Sequence, residues 1–123
     1  MREFIEKKSR FIGYATGIDS ESKAKEYIAE IARQHKRARH VAFAYALPGI
    51  ARYSDDGEPR GTAGLPLLQS IQRRNMENTV VVVVRYFGGI LLGKGGLIRA
   101  YGKAAGLALE EMLSMEKNKP NTQ

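Results

Sequence analysis

Five consecutive valines, Val80 to Val84, flanked by Thr79 and Arg85, constrain this chain more than any other segment. β-Branched side chains lose rotamer freedom in a helix and pack well on a pleated surface, so the run reads as a strand. No polar residue interrupts it, which suits a strand at the centre of a sheet or covered on both faces. The rest of the chain must supply its neighbours.

The periodicity on either side supplies them. Phe11 to Ile18 reads as a strand broken by glycine, and Asp19 or Ser20 is a good N-cap for a helix over 21–34. In that helix Ala24, Ile28, Ile31 and Ala32 recur at helical spacing. Val41 to Leu47 alternates large and small side chains, putting Val41, Phe43, Tyr45 and Leu47 on one strand face. Pro48-Gly49 turns the chain, and Ile50 to Tyr53 can pair back as a hairpin. A short helix is expected from about Thr62 to Arg74, with Pro66 tolerated in its first turn. A long one follows from Leu97 to about Met115, turning Leu97, Tyr101, Ala105, Ala108 or Leu109, and Met112 inward. This order predicts an α/β protein, specifically an α+β two-layer sandwich with a mixed sheet and helices on one face. At 123 residues one domain is expected over 1–116, with 117–123 as a flexible tail.

Two blocks, Ser54 to Gly64 and Arg85 to Tyr101, hold eight of the thirteen glycines. Glycine at this density points to backbone that takes positive φ or lies against another surface. Gly57, Gly61 and Gly64 in the first block, and Gly88, Gly89, Gly93, Gly95 and Gly96 in the second, are therefore expected to shape a site, together with Asp55, Asp56 and Glu58.

Three carboxylates within four residues could hold a hard cation, but they do not follow the spacing of a calcium loop, and a solvated turn, or one bonded to nearby Arg60, is the favoured reading. No nucleophile stands at recognisable spacing beside them, so no catalytic residue is assigned. Gly88 to Lys94 fits the first places of a phosphate-cradling P-loop between a strand and a helix. Gly95 then stands where Ser or Thr would ligate magnesium, which argues against nucleotide hydrolysis. A weaker reading keeps the helix start as an anion site reinforced by Lys94 and Arg99, against the alternative that Gly95 and Gly96 let the helix pack on the sheet.

Charge carries the functional argument. The formal net charge is +7, and no acid lies between Ile31 and Ser54, where Arg33, Lys36, Arg37, Arg39 and Arg52 stand with His35 and His40. From Pro59 to Leu109 the one acid is Glu77. Such a surface attracts polyanions, above all RNA. Tyr53, Tyr86, Phe87 and Tyr101 lie close in sequence to these cations, as base stacking would need, though aromatics so spaced also serve a core. With no cysteine there is no disulfide and no thiolate zinc site, and no apolar run is long enough to span a membrane. A soluble cytoplasmic protein without a metal or cofactor is expected.

The blocks Lys8 to Ile12, Tyr53 to Pro59, Gly61 to Gly64, Val83 to Gly89, Leu92-Gly93, Gly95 to Leu97 and Arg99 to Tyr101 together resemble the signature of the IMPACT/YigZ family over about residues 7–112. The resemblance implies a ribosomal-protein-like fold similar to domain IV of elongation factor G, and a role near translation. It establishes no catalytic residue. Eukaryotic members of that family act largely through a separate N-terminal domain, and bacterial members usually add a ferredoxin-like C-terminal one, so the present chain is expected to correspond to one module. Arg60 stands where relatives usually have a small residue, and Lys94 where they often have alanine.

The expected function is thus a non-enzymatic RNA- or ribosome-binding module that modulates translation, with Arg37, Arg39, Arg85, Lys94, Arg99 and Lys103 on phosphate. One alternative is a nucleotide- or anion-binding protein, or an enzyme, using the Asp55–Glu58 and Gly88–Gly96 loops. Another is a protein–protein adaptor.

Overall fold

The computed structural model describes residues 1–117, so most of the expected tail at 117–123 lies outside the described residues. In chain order the elements are β1 (Arg2–Glu6), β2 (Ser9–Gly17), α1 (Glu21–Gln34), β3 (His40–Leu47), β4 (Ile50–Ser54), α2 (Gly64–Arg73), β5 (Thr79–Tyr86) and α3 (Gly93–Lys117). The strands form one five-stranded sheet in the order β1-β2-β5-β3-β4. The valine strand β5 is its centre.

The α+β class is the expected one, but two of its details are corrected. Every pairing is antiparallel, so the sheet is not mixed. Two hairpins, β1-β2 and β3-β4, flank β5, which follows both in the chain and runs between them against β2 and β3. The helices also cover both faces rather than one. Val81 and Val83 pack with Phe11, Leu67, Ile71, Leu97, Tyr101 and Leu109, under α2 and α3. Val80, Val82 and Val84 face the other way, with Ile12, Tyr45, Ala24 and Ile31, under α1. An uninterrupted valine strand has two apolar faces, and a two-layer sandwich would have left one of them in water.

Ser20 caps α1 through a bond from the Lys23 N–H to its Oγ at 3.1 Å. Strand β1 has no counterpart among the elements expected from periodicity. It is an edge strand with only Phe4 turned inward, and its charged neighbours hide the alternation that marks a half-buried strand. Helix α3 begins at Gly93, four residues before the expected start, because packing along β1 and β2 outweighs the poor helix propensity of its glycines. No helix among the described residues is long and apolar enough to cross a membrane.

Candidate functional site

The antiparallel register brings both glycine blocks to one end of the sheet. Glu6 stands opposite Ser9, Arg10 opposite Tyr86, His40 opposite Arg85 and Phe43 opposite Ser54. The turn at 7–8, the segment 35–39, the loop 55–63 and the loop 87–92 therefore meet there, and α3 starts from the same end.

Beneath these loops lies a buried polar cluster built from residues far apart in sequence. The Arg85 guanidinium donates through NH1 to both oxygens of Glu58, at 3.0 and 2.7 Å, and through NH2 to Ser9 Oγ at 3.3 Å. Tyr101 donates its hydroxyl to Glu58 Oε2 at 2.5 Å. Arg85 is 5% exposed, Glu58 8%, and Tyr101 and Ser9 are fully buried. Two charges taken out of water are tolerable only with such a set of partners. Burial, and then the bond to Glu58, push the Tyr101 hydroxyl far above its usual range and keep it a donor. The guanidinium carbon also lies 5.6 Å from the ring centre of Phe11 and 5.4 Å from that of Phe87. Arg85 Nε is the one buried side-chain polar atom without a hydrogen-bond partner among the described residues.

His40 closes the cluster toward solvent. Its Nδ1–H donates to the Asp56 carbonyl at 2.6 Å, and its Nε2 stands 3.4 Å from Glu58 Oε1. Asp56 in turn accepts the Val41 N–H at 2.6 Å.

Asp55 acts on α2. Its carboxylate accepts the N–H groups of Gly61 at 2.9 Å, Ala63 at 3.1 Å and Gly64 at 2.8 Å. The N-cap residue Ala63 has no side chain to cap with, so a carboxylate from the preceding loop supplies the acceptors and the negative charge that a helix start favours. The loop can close this tightly because a Cβ at Gly64 would overlap the backbone of Ser54, and one at Gly88 would overlap that of Lys8.

The expected site residues are thereby sorted. Gly57, Gly61, Gly89 and Gly93 have positive φ, as the turns require. Gly95 and Gly96 do not pack on the sheet: a Cβ there would meet Arg99 and Leu92. The close helix-to-sheet approach is made at Gly13, against the Ala104 carbonyl. Each of Asp55, Asp56 and Glu58 is engaged within the fold, and among the described residues no group of three or more metal-ligating side chains converges. Arg85, expected on phosphate, is instead buried and neutralised by Glu58, since its strand position turns it toward Tyr101 rather than outward. Arg37, Arg39, Lys94, Arg99 and Lys103 are exposed and form no ion pair among the described residues. Arg39 lies over the Phe87 ring at 5.0 Å and Lys103 over Phe4 at 4.8 Å.

The aromatics divide as well. Tyr101 is core, Tyr53 is 46% exposed on β4, and Tyr86 belongs to a second cluster that sequence reasoning missed. There His35 Nε2 bonds the Tyr14 hydroxyl at 2.7 Å and Nδ1 bonds that of Tyr86 at 2.6 Å. Burial, and then the nearby Arg10 charge, hold the imidazole below its usual range. A histidine amid lysines and arginines gave no signal that it turns inward.

Comparison with known proteins follows the same residues. A model of the Impact N-terminal domain matches residues 7–109. The IMPACT family member YvyE of Bacillus subtilis (strain 168) is 44% identical over 118 residues, covering 94% of this chain and 54% of its own length. The IMPACT family member YigZ of Escherichia coli (strain K12) is 41% identical over 116 residues, covering 90% and 57%. The chain thus spans about half the length of these curated relatives. Among solved structures, the crystal structure of a hypothetical protein superposes with a TM-score of 0.87 at 39% identity, over 90% of this chain and 56% of that one. The two-domain translational regulator Yih1 superposes at 0.55 and 26% identity, over 86% and 45%. With the glycine blocks matched inside the family model and the fold shared at this identity, the chain belongs to the IMPACT family through its Impact N-terminal domain.

Proposed function

We propose that this domain is a non-enzymatic module that binds RNA, in the setting of the ribosome and of translation control, through the basic end of its sheet. The observation that carries the reading is the unpaired positive charge gathered there: Lys7, Lys8, Arg37, Arg39, Lys94 and Arg99 are exposed, while Asp55, Asp56 and Glu58 of the same end are hydrogen-bonded within the fold and Glu6 is the exposed acid left beside the cations. Helix α3 carries its acids, Glu110, Glu111 and Glu116, toward the far end. A surface so polarised orients the protein in the field of a polyanion. Kinship with IMPACT family members, and likeness to a protein described as a translational regulator, support the translational setting. The engagement of all three carboxylates of the acidic turn disfavours acid–base chemistry there.

The test is binding of the purified protein to ribosomes and to a mixed RNA pool across a salt series. Four to five phosphate contacts predict a log–log slope of about −3 to −4. Affinity that ignores salt would sink the reading.

A second reading, docking to a protein, is favoured by the apolar tip before α3 and in its first turns. Ile90, Leu91 and Ile98 are 42%, 82% and 43% exposed. Ribosome binding that is abolished by Leu91→Glu, and unmoved by salt, would select it.

A further inference from the structure

The loop between β5 and α3, residues 87–92, carries aliphatic side chains at the basic end of the sheet and is pinned on both sides of its tip. On the strand side the Phe87 ring lies against the guanidinium carbons of Arg39 and Arg85, at 5.0 and 5.4 Å. Gly88 donates its N–H to Ser9 Oγ at 3.3 Å and is so close to Lys8 that a Cβ would overlap the Lys8 backbone. On the helix side Leu92 is buried in the core under α3. Between these anchors Gly89 and Gly93 take positive φ, 90° and 75°, and a Cβ at either would meet nothing. The chain therefore turns out into open space, with Ile90 and Leu91 at the tip and Leu91 82% exposed.

Cations flank this loop from three parts of the chain. The β1–β2 turn brings Lys8 against Gly88, the segment before β3 lays Arg39 over Phe87, and Lys94 follows in the first turn of α3. All three are exposed, and none forms an ion pair among the described residues. From Phe87 to Leu109 the chain has no acid. Glu6, the exposed acid of this end, lines a cleft between β1 and α3 that Ile90 and Leu91 do not line. Two aliphatic side chains thus protrude amid positive charge that the fold leaves uncompensated.

Such a tip suits a ligand that presents apolar surface beside anionic groups. A paired RNA helix does not, because its bases are stacked inside and its outer surface is phosphate and ribose hydroxyl. Unpaired nucleotides do, since each offers an open base face next to a phosphate. A protein partner fits less well: the core of a protein interface is depleted of charge, and two side chains are little against the roughly 800 Å² that each partner buries in a stable one. We propose that this end of the domain binds unpaired RNA, with Ile90 and Leu91 against exposed bases and Lys8, Arg39 and Lys94 on the flanking phosphates. The Phe87 ring is taken up by Arg39 and Arg85, so the aliphatic tip and not a ring meets the base. The inference deepens the RNA reading above and rests on it.

Fluorescence anisotropy tests it with a short labelled RNA of unstructured sequence, alone and annealed to its complement, each titrated with the purified protein at the same salt concentration. Charge by itself favours the duplex, whose phosphates are more densely packed. The single strand is nevertheless expected to bind about tenfold more tightly, because only its bases are open to the tip. Leu91→Ser weakens the single strand about tenfold and leaves the duplex and the salt slope unchanged, since an uncharged contact releases no counterion. Leu91→Met keeps the tip apolar and binds as the natural protein does. Leu91 is exposed, so both variants fold. Arg37→Ala, a change of charge outside the tip, weakens both forms and lowers the salt slope. A duplex bound as tightly as the single strand, or a single strand indifferent to Leu91→Ser, overturns the inference and leaves the basic end as an RNA surface. Neither form bound at low salt overturns both readings. Ribosome binding that Leu91→Ser weakens, with neither RNA bound, overturns the inference in favour of a protein partner.

Discussion

A carboxylate and a guanidinium that have both left water depend on every partner around them, so removing one uncovers the cost of burying the other. Glu58→Ala is therefore expected to lower stability by about 3–5 kcal/mol in urea unfolding, through the stranded charge of Arg85. Replacing the pair together with the hydroxyl that depends on it, as Glu58→Met with Arg85→Leu and Tyr101→Phe, restores most of that loss, since apolar side chains of similar volume need no partners. A combined variant as unstable as the single one would show that the cluster does not act as a unit. At His35 the prediction concerns pH. The fold holds this imidazole below its unfolded value of about 6.5, so the neutral ring is the favoured form. Its contribution is complete above that value and is lost as pH falls through the lowered folded value. Thermal melts from pH 7 to 5 should show a steeper loss in the natural protein than in His35→Gln.

At the level of elements, α2 depends on a cap that arrives from the preceding loop. Asp55→Ala removes the acceptor for three backbone N–H groups and is expected to cost about 1–2 kcal/mol, with Asp55→Asn closer to the natural protein because it keeps one acceptor oxygen. Gly64→Ala strains the same junction against Ser54 by about 1–3 kcal/mol. The β1–β2 turn should behave in the opposite sense. Lys7→Asn with Lys8→Gly suits the positive φ of both positions and is expected to raise stability by about 1 kcal/mol or more. The gain is expected to accompany weaker RNA binding, and melts and titrations on one preparation measure both.

Across the whole molecule, the antiparallel topology gathers four connections and the start of α3 at one end, and most of the unpaired cations come with them. Taking one cation away from a phosphate lowers the salt slope by roughly 0.7–0.9. Arg37→Ala with Arg39→Ala is thus expected to weaken RNA binding across sequences and to reduce the slope by about 1.5. Stability should fall by no more than about 1 kcal/mol, the packing of Arg39 over Phe87 being the main interaction surrendered. An unchanged slope would place the RNA elsewhere.

The sequence by itself determined the elements whose signals are local: the valine strand, the Ser20-capped helix, the hairpin around Pro48-Gly49, the core face of α3, and the family to which its glycine blocks belong. It also located the two blocks that matter. Strand β1 escaped it, because an edge strand with one inward residue has no periodicity to read. Which face each helix covers was decided only by the tertiary structure, since an apolar strand does not say from which side its cover comes. So were the partners of Glu58, Arg85 and Tyr101. Residues 27 and 43 positions apart along the chain become a charge pair and its donor through strand register and helix packing, and no spacing rule in one dimension encodes that meeting. The same register turned Arg85 inward and left Arg37, Arg39, Lys94, Arg99 and Lys103 outside, because a strand's alternation fixes which side a residue faces and only the packed sheet fixes which side is buried.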